Sequence, residues 1–154
     1  MRRALVTGAG QRLGRAMALY LGQRGFDVAV HYATSRTGAE ATAAEITAMG
    51  CHAVALQADL LDDATTEALL PRAAEALGGP ITCLVNNASI FEHDDITSAR
   101  RECWDRHLGS HLRPSFVLTQ ARARQGPRPE TEPNAEPRPT AIHSHPLAPR
   151  RHNP

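Results

Sequence analysis

Residues 4–25 read ALVTGAGQRLGRAMALYLGQRG. A short apolar run, Ala4–Thr7, passes into a glycine-rich turn ending at Gly14, and then into a segment whose apolar residues recur at helical spacing. Strand, glycine turn and helix in that order prepare a seat for a phosphate. Gly8 permits a tight turn, while Gly14 lets the helix approach the strand and leaves its first amides free for an anion. A βα turn without any ligand is the plainer alternative. Arg12 stands where such a loop more often carries another glycine. It either brings positive charge to the phosphates or lies solvated on the turn. Gly8, Arg12, Leu13 and Gly14 are therefore the expected cofactor-binding residues of this loop.

The same alternation continues downstream. A helix is expected over Leu13–Arg24, with Leu13, Ala16, Met17, Tyr20 and Leu21 on its apolar face, stopped by Gly25. Strands are expected at Phe26–Tyr32, His52–Gln57 and Ile81–Asn87, and helices at Gly38–Met49, Asp62–Leu77 and Arg100–Ala121. Pro114 inside the last of these would cost about 3 kcal/mol unless the helix kinks there. Strands separated by helices pair in parallel through right-handed crossovers, giving an open, doubly wound α/β sheet with helices on both faces. The rhythm stops after Ala121. Eight of the eleven prolines lie beyond it, with almost no apolar periodicity, so residues 1–121 read as an α/β domain and 122–154 as a disordered Pro/Arg-rich tail.

Composition bounds the partners. A net charge of +1 gives no broad field for nucleic acid or an anionic membrane. No apolar run approaches a membrane span or an export core, and the odd, scattered Cys51, Cys83 and Cys103 suit free thiols in a reducing compartment. A cytoplasmic location is the expectation. All 17 basic residues are arginine, which removes lysine as a catalytic group.

The end of the second expected strand selects the cofactor. A loop for NAD usually offers a carboxylate to the ribose 2′-hydroxyl, but here the stretch is His31-Tyr32-Ala33-Thr34-Ser35-Arg36. Hydroxyls and a guanidinium suit a 2′-phosphate, so NADP(H) is the expected cofactor, with His31, Tyr32, Ser35 and Arg36 at that end.

TGAGQRLG at 7–14, Ala58-Asp59-Leu60 after the third strand and Asn86-Asn87-Ala88-Ser89 after the fourth resemble the short-chain dehydrogenase/reductase family. The arginine-bearing loop, HY…S at 31–35 and NNAS resemble its pteridine reductase branch, over residues 3 to about 121. The resemblance implies a Rossmann-like sheet. It puts Asp59 and Leu60 beside the adenine, Asn86 and Ala88 along the cofactor, and Ser35 and Arg36 near the 2′-phosphate. Ser89 and Phe91 fall in the substrate region, where Phe91 either stacks on a pterin or covers the sheet edge.

The resemblance also implies a catalytic tyrosine followed four residues later by lysine, because a phenol of pKa near 10 needs a nearby cation to exchange protons at neutral pH. The chain has two tyrosines, Tyr20 and Tyr32, and no lysine. Neither tyrosine stands after a fifth strand, so no catalytic residue is assigned. His111 occupies the place of an asparagine that relatives use in proton relay, where a passive role is expected. Without a fifth strand the fourth becomes a bare apolar edge, a template for self-association or aggregation. The expectation is a reductase chain cut short after its dinucleotide-binding half, with a tail of off-frame character. A non-enzymatic nucleotide-binding or partner-recruiting module and an unstable fragment stay open beside it. In the tail, Pro146 to Arg151 matches a polyproline-groove ligand, and His143 and His145 offer at most weak metal binding.

Overall fold

The structure is a computed structural model that describes residues 1–126. Its strands are β1 (Arg2–Val6), β2 (Phe26–Tyr32), β3 (Ala53–Gln57) and β4 (Cys83–Val85). Between and after them run α1 (Arg12–Gly22), α2 (Arg36–Ala48), α3 (Asp63–Ala76), α4 (Arg101–His111) and α5 (Arg113–Arg124). The strands form one parallel sheet in the order β3-β2-β1-β4, with Ala4 opposite both Val28 and Cys83. This is the Rossmann-like, doubly wound architecture that the strand–helix alternation predicts.

Side-chain alternation along the strands builds a core on each face of the sheet. Ala4, Val6, Val28 and Val30 pack with Ala18 of α1 and Ile46 of α2, while Leu5 and Ala29 face Leu69 and Leu70 of α3 and Leu118 of α5. Asp62 starts α3 as an N-cap: its Oδ1 accepts the Thr65 backbone N–H at 2.7 Å.

The face of α1 differs from the expected one. Leu13 and Tyr20 are 66% and 52% exposed, and the residues turned to the sheet are Gly14, Ala18 and Gly22. Leu19 and Leu21 pack beside them, partly buried against the same core, so Leu21 of the expected face does reach it while Leu13 and Tyr20 do not. At Gly14 a methyl group would collide with the Gly8 carbonyl and stand 2.5 Å from Asn87 Nδ2.

The expected helix over 100–121 is two helices that meet at Leu112. Pro114, in the first turn of α5, cannot donate to the preceding turn and so separates them. Because α5 continues to Arg124, the expected boundary at Ala121 falls inside a helix. Residues 127–154, with the tail motifs, lie outside the described residues. Among the described residues strand β4 pairs with β1 and lies at one end of the strand order, its residues half-buried. Just before it, the Ile81 N–H donates to Gln125 Oε1 at 2.9 Å, so the end of α5 closes one of the donors there.

The close approach at Gly14 predicts an asymmetry between two glycines of α1. Gly14→Ala should cost about 1–3 kcal/mol by overpacking, read as a lower urea midpoint. Gly22→Ala, whose methyl would meet only the Ile46 side chain, at 3.0 Å, should cost clearly less in the same measurement.

Candidate dinucleotide site

The C-terminal ends of the strands carry a cavity of about 540 Å³. Three side chains shape its floor by holding backbone. Thr7, 2% exposed, accepts through Oγ1 from the N–H groups of Asn87 at 2.8 Å and Ala88 at 2.9 Å, and donates to the Val85 carbonyl at 3.3 Å. Asn87 returns the contact, its Nδ2 donating to the carbonyls of Thr7 at 2.8 Å and Gly8 at 3.2 Å. His31, 1% exposed, accepts the Gly8 N–H at Nδ1 and donates from Nε2 to the Ala58 carbonyl, both at 3.1 Å. Those partners define a neutral ring protonated at Nε2. Burial holds the His31 pKa below its ordinary value, opposed by the Ala58 contact and reinforced by the positive charge of Arg72.

Gly8 turns at φ +64°, as the turn requires. Arg12 has φ +49° and is the non-glycine residue in the left-handed region among the described residues. An L side chain there costs about 1–2 kcal/mol, so the loop keeps a glycine-type backbone at a residue that carries a guanidinium.

Of the expected cofactor residues, Gly8, Arg12, Leu13 and Gly14 line the cavity from the loop. His31, Asp59, Leu60 and Ala88 line it from the other strand ends, and Ser89 joins them. Asp59 Oδ1 accepts the Leu61 N–H at 2.9 Å, which fixes the carboxylate at the rim. Tyr32, Ser35 and Arg36 form a neighbouring corner, joined to the glycine loop where Gln11 Nε2 donates to Ser35 Oγ at 2.7 Å. Asn86 turns toward α5, donating to Thr119 Oγ1 at 3.3 Å, and its neighbour Asn87 lines the cavity instead. Phe91 is 86% exposed and does not line it. Gln11, Ala33, Leu61, Asn87, Ile90 and Ser110 are lining residues that the sequence does not single out. Asn87 stood within the NNAS motif, but only the fold shows which of the two asparagines turns inward. His111 donates from Nε2 to the Ile90 carbonyl at 3.1 Å and so supports the loop. Neither tyrosine lines the cavity; Tyr20 lies on α1 under the Arg24 guanidinium.

A parallel α/β sheet whose first βα turn forms a glycine cradle at the strand ends defines a protein of the Rossmann-like fold class. Residues 2–127 match the short chain dehydrogenase family, and the chain belongs to that family. It is 36% identical over 117 residues to a 3-oxoacyl-[acyl-carrier-protein] reductase of Staphylococcus aureus, covering 76% of this chain and 47% of that protein. Among solved structures, a short chain dehydrogenase from Burkholderia cenocepacia in complex with NADP aligns at TM-score 0.77 and 39% identity, over 80% of this chain and 50% of that one. FolM alternative dihydrofolate reductase 1 from Brucella suis, also in complex with NADP, aligns at TM-score 0.77 and 36% identity, over 83% and 52%. The chain thus spans about half the length of these relatives. Among the described residues no helix is long and apolar enough to cross a membrane, and no cluster of side chains suits a metal ion.

The neutral His31 makes stability pH-dependent. The unfolded ring takes up a proton below about pH 6.5, whereas the folded ring resists it, so the unfolded chain binds more protons as the pH falls. Stability should be full above pH 6.5 and decline below it, by at most about 1.4 kcal/mol per pH unit, until the lowered folded pKa is reached. Urea melts between pH 7.5 and 5.5 should show this slope in the wild type. His31→Leu, though less stable throughout, should lack it.

Proposed function

We propose that this chain binds NADP(H) in the cradle at the strand ends and belongs to the pteridine reductase-like branch of its family. The observation that carries the reading is the glycine turn at the strand ends: Gly8 at φ +64° and Gly14 packed on the Gly8 carbonyl bring the start of α1 to the cavity, where a pyrophosphate would meet backbone amides. The stretch from His31 to Arg36 carries no carboxylate for a ribose 2′-hydroxyl, which favours the 2′-phosphorylated dinucleotide, and both solved relatives described above were crystallised with NADP. Arg12 in a glycine position and the likeness to a dihydrofolate reductase support the branch. In this reading Asp59 and Leu60 flank the adenine, Ala88 and Ser89 border the nicotinamide half, and Phe91 waits on the exposed loop for a substrate ring. NADP(H), when bound, supplies a hydride; the protein must supply a proton at the receiving atom. The chain has no lysine and neither tyrosine lines the cavity, so the part of the reaction that these residues serve is the binding of the cofactor. The half-buried free cysteines fit a cytoplasmic setting, and the open β4 edge is the proposed route of self-association.

Thermal unfolding with nucleotide tests the reading. NADPH at a hundred times its dissociation constant should stabilise the fold by about 2.7 kcal/mol, with a much smaller shift from NADH at equal concentration. Arg12→Gly separates backbone from side chain. It should leave the apo protein as stable as the wild type or up to about 1 kcal/mol more stable, yet weaken NADPH binding. A folded protein indifferent to both nucleotides defeats the proposal.

A further inference from the structure

Arg36, the guanidinium at the corner beside the glycine loop, is already engaged. Its Nε donates to Glu40 Oε1 at 2.7 Å, one turn along α2, with the two side chains 74% and 53% exposed. A guanidinium presents two donor edges, one through Nε and one between the terminal nitrogens, and a carboxylate on the first leaves only the second for another anion. The corner itself has little freedom to adjust. Gln11 holds Ser35, the Ala39 N–H donates to the Ser35 carbonyl at 3.1 Å, and Gly38 lies so close to the Gly10 carbonyl that a methyl group would collide with it. The other acid of α2, Glu45, is paired with Arg15 of α1 at 2.5 Å.

We infer that Glu40 is a specificity-determining residue: it occupies Arg36 against a 2′-phosphate and so reduces the preference of this site for phosphorylated over unphosphorylated dinucleotide. The inference rests on the reading of the cavity as a dinucleotide site. A phosphate monoester arriving at the corner meets a guanidinium with one edge taken and a like charge close behind it. An unphosphorylated ribose meets neither cost. Exposed ion pairs of this kind are weak, so the competition is one that the phosphate wins at reduced affinity rather than loses.

Titration calorimetry of the full chain with NADP⁺ and with NAD⁺ tests this. Glu40→Gln should tighten NADP⁺ roughly two- to fivefold and leave NAD⁺ unchanged, with the gain shrinking as salt rises. In the Arg36→Gln background the same change should do nothing for either nucleotide. Weaker NADP⁺ binding by Glu40→Gln would mean that Glu40 orients Arg36 for the phosphate, and the inference falls. Equal shifts for both nucleotides, or none, also overturn it. If the folded wild type binds neither nucleotide, the dinucleotide reading itself falls and takes this inference with it. If the wild type binds NADP⁺ and Glu40→Gln is silent, only the inference is lost.

Discussion

Everything at the strand ends depends on how the Thr7 hydroxyl and the Asn87 amide exchange hydrogen bonds with each other's backbone. Thr7 Oγ1 receives two amides from the chain leaving β4, and Asn87 Nδ2 reaches back to two carbonyls of the glycine loop. The residues are 80 apart in sequence, and β1 and β4 are neighbours in the sheet, so this clasp ties the first βα turn to the last strand. Buried backbone groups must be paired somewhere, and a loop that keeps its amides free for a ligand can spend none of them on itself. Here side chains take up the remaining carbonyls and amides. The turn keeps its shape through them, and its first helical amides stay open.

His31 performs the same service from the other side. Its two ring nitrogens connect the Gly8 amide to the Ala58 carbonyl, joining the ends of β1, β2 and β3 across the cavity wall. Protonation would turn the acceptor at Nδ1 into a donor facing an N–H, so the neutral ring is a condition of the loop's geometry. Arg12 is the first residue of α1 and follows Gln11, whose side chain is tied to Ser35, so its left-handed backbone is held from both sides. Strain of this kind persists only where its surroundings over-determine it.

The fold was largely legible because its signals are local. Alternation put Val28 and Val30 on one face of β2, the glycine loop sat between strand and helix, and Pro114 marked the break between α4 and α5. The face of α1 was misread in part, for a physical reason. Where this helix lies against the sheet, the buried stripe is Gly14, Ala18 and Gly22, while Leu13 and Tyr20 turn outward. Periodicity weighs size as hydrophobicity and so points away from such a stripe. The choice of Asn87 over Asn86, the double contact of His31 and the Arg36–Glu40 pair lie beyond sequence reasoning for a different reason. The first two are set by the meeting of strands distant in sequence, and the last by a rotamer choice on an exposed helix.

The commitments of the polar groups around the cavity bear on what the site can do. Both nitrogens of His31 are used, the Ser110 hydroxyl donates to the His107 carbonyl at 3.0 Å, and His111 Nε2 holds Ile90. Asp59 spends one carboxylate oxygen on the Leu61 amide. A general acid must release and regain its proton within reach of the reacting atom, and a group whose hydrogen bonds hold the fold cannot do so without loosening that fold. Backbone amides, in contrast, bind an anion without changing state. His31 and Asp59 thus serve as struts at the cavity, while the Arg12 guanidinium and the amides at the start of α1 are the groups that an anion there would meet.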